Sequence, residues 1–161
     1  MKKNNKTRFL VQSAAIAASY TILTFITSLF GLSSGVIQIR FSEALTVLPA
    51  FTPAAVPGLF IGCLLANLIT GSILLDTVFG SLATLAGAVF TWLLRKHKFL
   101  APLPPIIANT LIIPFILAFA YGFQGSIWYF MLTVGIGEII SCGVLGYALM
   151  LGLKRTPDLL K

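Results

Sequence analysis

Five apolar stretches divide this chain: Phe9 to Phe30, Ala44 to Thr70, Ile73 to Leu94, Leu103 to Tyr121 and Ile127 to Leu153. Most of them reach the roughly 20 residues a helix needs to cross a hydrocarbon core about 30 Å thick. None alternates with the period of two that a membrane barrel requires, so the pattern predicts helices. The second stretch differs from the rest because Pro49, Pro53 and Pro57 interrupt it. Proline removes a backbone donor and clashes with the preceding helical turn. We read this stretch as two short helices with a turn near 50–53, shielded from lipid by their neighbours. A re-entrant loop is the alternative. As helix at about 1.5 Å per residue, residues 44–70 cover only roughly 40 Å, which is short for two full spans.

The polar positions set the topology. Lys2, Lys3, Lys6 and Arg8 precede the first stretch; Arg95, Lys96 and Lys98 follow the third; Lys154, Arg155 and Lys161 lie at the end of the sequence. Arg40 is the one basic residue outside these clusters. By the positive-inside rule all three clusters face the cytoplasm, and so do both termini. The chain must then cross an even number of times between Arg8 and Arg95, so residues 44–70 supply either no crossing or two. Residues after 99 add two more around a short outer loop near 121–126. The expected fold is an all-α integral membrane protein, a compact bundle of about six transmembrane helices in one domain over residues 1–161.

Composition agrees. With 58% hydrophobic residues, 9% charged and a mean hydropathy of +1.00, the chain lies far outside the range of a soluble domain. A net charge of +7 would suit nucleic acid, but its confinement to membrane-flanking clusters argues for the lipid bilayer instead. The N-terminal basic and apolar pattern resembles a signal peptide, yet the run is too long and lacks a small-residue cleavage site, so it reads as the first helix. Cys63 and Cys142 fall inside predicted helices and read as buried free thiols. His97 sits in a basic loop and reads as solvated. The chain carries no GxSxG, HExxH or CxxC motif and no histidine partner for a nucleophile, so it is not expected to be an enzyme. No metal or cofactor is expected. It also lacks the glycine-rich phosphate loop ending in Gly-Lys-Ser/Thr.

Polar groups within apolar helices need a reason. Glu138 is the plainest case. It lies about ten residues into the last stretch, roughly 15 Å along the helix, and its flanking glycines leave room for a planar molecule or another helix. Arg40 and Glu43, three apart, pair on one helical face or else meet a polar solute. Asn67 forms an interhelical hydrogen bond or contacts a ligand. Asp76 caps the helix that follows or serves the same site. Tyr121, Phe123, Gln124, Trp128 and Tyr129 cluster at the outer ends, where aromatic belts account for most such residues and ligand stacking is the alternative. Together these residues describe a pocket for a small, flat, polar or cationic solute. A guanine-like edge offers adjacent N–H donors to one carboxylate, and an amine pairs with a second. A proton-coupled secondary transporter using Glu138 or Asp76 as proton carrier is the alternative function.

The run from Gln38 to Cys63, with Arg40-Phe41-Ser42-Glu43-Ala44-Leu45 and the Pro53 to Asn67 segment, then Asp76 to Leu85, closely resembles the QueT family of queuosine-precursor transporters. These are substrate-binding S components of energy-coupling factor (ECF) transporters. The resemblance implies six helices and cytoplasmic termini, and as partners a transmembrane coupling subunit and two ATPase subunits. It implies 7-aminomethyl-7-deazaguanine (preQ1) or queuine as substrate, captured in an outward-facing pocket. It also implies that Ala14 and Ala18, which match an Ala-x-x-x-Ala docking patch, contact the coupling subunit, and that residues 31–38 form a lid. For such a ligand we infer, from the residues rather than from the family, that Glu138 and Glu43 face the guanine edge or the ammonium and Asp76 takes the other. Arg40 or Asn67 would hold the carbonyl oxygen, and Trp128 or Tyr121 would stack, with Gln124 nearby.

Overall fold

A computed structural model describes residues 2–32 and 37–155 of the chain, and among them every regular element is a helix. Helix α1 (Lys2–Leu29) is followed by a 3-10 helix (Phe41–Ala50), α2 (Ala55–Ile69), α3 (Leu74–Leu93), a single 3-10 turn (Lys98–Leu100) and α4 (Leu103–Phe119). The last helix is continuous but changes pitch, from α5 (Ile127–Glu138) through a π segment (Ile139–Leu145) into α6 (Gly146–Arg155). Four spans are long and apolar enough to cross a membrane: Asn5–Leu29, Leu74–Leu93, Lys98–Phe119 and Ile127–Arg155.

The proline-interrupted stretch does fold as two short helices. Ten residues of 3-10 helix rise roughly 20 Å, and fifteen residues of α-helix roughly 22 Å. The larger rise per residue therefore gives residues 41–50 about a third more reach than an α-helix would. Thr46 Oγ1 donates to the Glu43 carbonyl three residues back at 2.6 Å, a local bond that suits the tighter backbone. The connecting turn reaches the end of the bundle that carries the basic clusters. There Ser13 Oγ donates to the Ala54 carbonyl at 2.9 Å, Thr52 Oγ1 donates to Gln12 Oε1 at 3.3 Å, and Lys98 Nζ lies 4.4 Å from the centre of the Phe51 ring. This depth matches the two-helix reading rather than a shallow re-entrant loop.

The 3-10 helix is the hub of the bundle. It packs against α1, α2, α3, α6 and the π segment, and it buries Glu43, Thr46 and Pro49 along one row. A period of three aligns side chains in a 3-10 helix, and Arg40 begins the same row. Glycines bring the neighbouring helices in. A Cβ at Gly62 would lie 2.8 Å from Tyr20 Cβ and 2.9 Å from the Ala17 carbonyl, and one at Gly58 would lie 2.8 Å from the Ser13 carbonyl. Ser13, Ile16, Ala17 and Tyr20 therefore form the face of α1 that meets α2, whereas Ala14 and Ala18 are exposed on the opposite face. Cys63 and Cys142 are free and buried, and His97 is exposed in the turn after α3.

Candidate functional site

The end of the bundle away from the basic clusters holds a wide chamber that continues into a deep niche, Gln38 and Arg40 lining both. The chamber has a volume of about 330 Å³ and is lined by Thr24, Asn67, Ser72, Asp76, Tyr121 and Phe123, among others. The niche beneath it is far smaller, about 20 Å³, and is walled by Glu43, Cys63, Gly80, Thr84, Asn109 and Glu138.

Local structure explains how each wall is set. Helix α2 ends at Gly71, whose φ of 73° is the left-handed conformation that a side chain disfavours. The Ser72 N–H then reaches the Asn67 carbonyl at 2.9 Å and the Gly71 N–H the Leu68 carbonyl at 3.3 Å. This paired closure turns the chain sharply and leaves Asn67, Ser72 and Asp76 side by side. Ile73, not Asp76, holds the N-cap position of α3. Asp76 sits in the first turn, and its Oδ2 accepts a hydrogen bond from the Tyr121 hydroxyl at 2.9 Å. Partial burial, then the charge of Asp76, push the Tyr121 phenol above its ordinary pKa, so at neutral pH it remains a donor. Tyr121 and Phe123 stack with centroids 5.8 Å apart and planes 12° from parallel, both at the chamber wall.

At the bottom, Glu43 is 2% exposed. Its Oε1 accepts a hydrogen bond from the Tyr20 hydroxyl, and its Oε2 is buried without a partner. Glu138 Oε1 accepts from Asn109 Nδ2 at 2.9 Å, and its Oε2 accepts from the Cys142 thiol at 3.1 Å. The π segment produces this meeting. Its extra residue per turn brings Glu138, Ser141 and Cys142 to the side facing residues 38–46, where the Arg40 N–H donates to Ser141 Oγ at 3.1 Å. The space beside Glu138 that the sequence left for a planar molecule or helix is filled at Gly137 by backbone, because a Cβ there would overlap the Gln38 carbonyl.

Arg40 and Glu43 do not hydrogen-bond one another. The Arg40 guanidinium donates to Gln38 Oε1 at 3.4 Å, and Glu43 is engaged by Tyr20. Asn67 is 1% exposed, and its side chain makes a long contact of 3.7 Å from Nδ2 to the Cys63 sulfur. Arg40, Glu43, Asn67, Asp76, Tyr121 and Glu138 thus gather around one cavity. Trp128, 80% exposed in the first turn of α5, and Gln124, exposed in the preceding loop, line neither part of it. Sequence reading missed Tyr20 and Asn109, and it counted Gln38 only as the end of the expected lid. The periodicity of α1 marked Tyr20 only as apolar, and Asn109 carried the one usable signal, an amide deep in an apolar run. Of the expected lid, residues 33–36 lie outside the described residues.

Glu43, Glu138 and Cys142 bring one potential metal-ligand atom each within 4.8 Å of one another. Tyr20, Asn109 and Cys142 already bond three of the four carboxylate oxygens, so the set forms a hydrogen-bonded carboxylate pair.

The QueT transporter family model matches residues 10–155. A curated relative, the queuosine precursor transporter QueT of Lactococcus lactis subsp. cremoris, is 36% identical over 83 residues, which is 52% of this chain and 48% of that protein. The match spans about half the length of that relative. No solved structure shows a significant match. Since the family model covers nearly all of the described helices, the chain belongs to the QueT transporter family.

Proposed function

We propose that this chain is the substrate-binding subunit of an ECF-type uptake transporter, capturing a 7-deazaguanine queuosine precursor from outside the cell. One observation carries the reading. Three of the four acidic residues and the single arginine outside the basic clusters surround one cavity, at the end where the positive-inside rule puts the exterior. A flat, donor-rich, cationic solute supplies what such a site lacks: donors for the carboxylates, an acceptor for Arg40 and Asn67, and a face for Tyr121. The name of the Lactococcus relative supports the substrate class.

The resemblance to S components implies the energy source: ATP hydrolysis by two ATPase subunits acting through a transmembrane coupling subunit, a division of labour that suits a sequence without a phosphate loop. Ala14 and Ala18 face away from the bundle and offer a flat patch on which another helix can approach closely. The patch is the docking face in this reading.

Calorimetric titration of the purified chain with deazaguanines tests capture, and uptake into vesicles tests energy coupling. The expected result is tight binding by the chain alone, with transport only when ATP and the coupling proteins are present. Uptake by the purified chain driven by a proton gradient alone would favour the secondary-transporter reading instead. Glu138→Gln is expected to lower affinity roughly tenfold or more, the scale of one charge-assisted hydrogen bond in a buried site, in a protein that still folds. If Glu138→Gln and Arg40→Met both abolish expression, these groups are structural and the site lies elsewhere.

A further inference from the structure

The cavity is divided so unequally that it fixes how a ligand lies in it. This inference rests on the function proposed above and concerns which end of the ligand goes in first. The chamber, at about 330 Å³, accommodates a bicyclic ring, while the niche, at about 20 Å³, accommodates only a group of water size. Two carboxyl groups, of Glu43 and Glu138, and the one guanidinium of Arg40 line that small space, so with both carboxylates ionised it lacks one cation. Glu43 Oε2 is buried and without a partner, and a Glu138 carboxylate oxygen lies within 4.8 Å of a Glu43 oxygen.

We propose that the niche is a primary-ammonium site, so that an aminomethyl group enters first and the deazaguanine ring stays in the chamber. Two oxygens no more than 4.8 Å apart, as one from Glu43 and one from Glu138 are, can both be reached by a single nitrogen at about 2.8 Å from each. Metal-free satisfaction of both carboxylates follows: Tyr20, Asn109 and Cys142 already donate to three of the four oxygens, and the ammonium reaches the fourth. A neutral hydroxyl would reach it without the direct charge–charge attraction that an ammonium adds in a buried site. In the chamber, Asp76 is then left to accept the guanine edge, with Tyr121 and Phe123 beside the ring. Gly80 lines the niche, and its Cβ position lies 3.1 Å from Asp76 Oδ1 and 3.5 Å from Asn67 Nδ2, both at the chamber wall, so a side chain there would fill space between the two.

The consequence is selectivity at the amine. A secondary amine carrying a five-membered ring, as in queuine, has no room in the niche, and a nitrile in place of the aminomethyl group has neither charge nor donor. Titrating the purified chain with preQ1, 7-cyano-7-deazaguanine and queuine is the test. The expected result is that preQ1 binds roughly 10- to 100-fold tighter than either of the others, the range of one charged hydrogen bond. Glu43→Gln and Glu138→Gln should each collapse that ratio, whereas Asp76→Asn should weaken all three ligands by a similar factor and so preserve it. Equal affinity for all three would overturn the ammonium niche while leaving the proposed function standing. A ratio lost in Asp76→Asn but kept in Glu43→Gln would place the ammonium in the chamber and likewise overturn it. Because the wild-type ratio alone decides the first point, a variant that fails to fold does not remove the test. If none of the three binds, the proposed function itself falls, and the niche assignment with it.

Discussion

Glu43 and Gly80 show how much the site depends on single residues. Glu43 is held at the deep end by Tyr20, an α1 residue that also fixes how close α1 and α2 approach. Leaving its second oxygen buried and unpartnered costs on the order of 1–3 kcal/mol or more, a cost that a ligand donor would relieve. Gly80 governs the space between niche and chamber. In Gly80→Ala the new methyl group would sit 3.1 Å from Asp76 Oδ1 and 3.8 Å from Ile113 Cδ1, close enough to narrow that space. Alanine also favours the helix by about 1 kcal/mol, which offsets the crowding in the folded state. The expected outcome is a roughly tenfold or greater loss of deazaguanine affinity with little change in thermal midpoint, measured by titration and by unfolding in detergent.

At the scale of elements, two departures from α geometry build the site. The 3-10 helix carries Glu43 from the far end of the bundle towards its middle, and the π segment of the last helix turns Glu138 and Cys142 to meet it. Close helix contacts hold both in place. Gly62→Ala makes a useful contrast with Gly80→Ala, because its added methyl would meet the α1 backbone at Ala17 and the Cβ of Tyr20, all within 3.0 Å. No flexible side-chain tip is there to yield. The expected cost is about 1–3 kcal/mol of stability, seen as a lower unfolding midpoint, with weaker ligand binding because Tyr20 shifts away from Glu43.

At the scale of the whole molecule, the bundle has two separate surfaces with separate tasks in the proposed function. The cavity opens at one end, and the Ala14 and Ala18 patch lies on the outside of α1, away from the face that packs on α2. Changing both alanines to leucine should therefore leave deazaguanine affinity unchanged and block assembly with the coupling subunit, as followed by co-purification and by ATP-dependent uptake. Unchanged uptake would rule out that patch as the docking face.

Taken alone, the sequence determined that the chain is a helical membrane protein, where its spans run, that the basic clusters share one end, and that Arg40, Glu43, Asp76 and Glu138 needed a polar environment. These properties are local: hydropathy, charge placement and proline spacing act over a helical turn or a span, and each can be read without knowing what packs beside it. The tertiary structure decided which of those groups meet. Arg40 and Ser141 are joined by a hydrogen bond across 101 positions, and Tyr20, Gln38 and Asn109 enter the site from three different segments. Trp128 and Gln124 match the expected composition of a binding site but do not line it: the rotation of α5 about its axis, set by its neighbours, leaves Trp128 exposed, and Gln124 lies in the loop before it. The sizes of chamber and niche likewise depend on how closely glycine-bearing helices approach, a distance that no single segment contains.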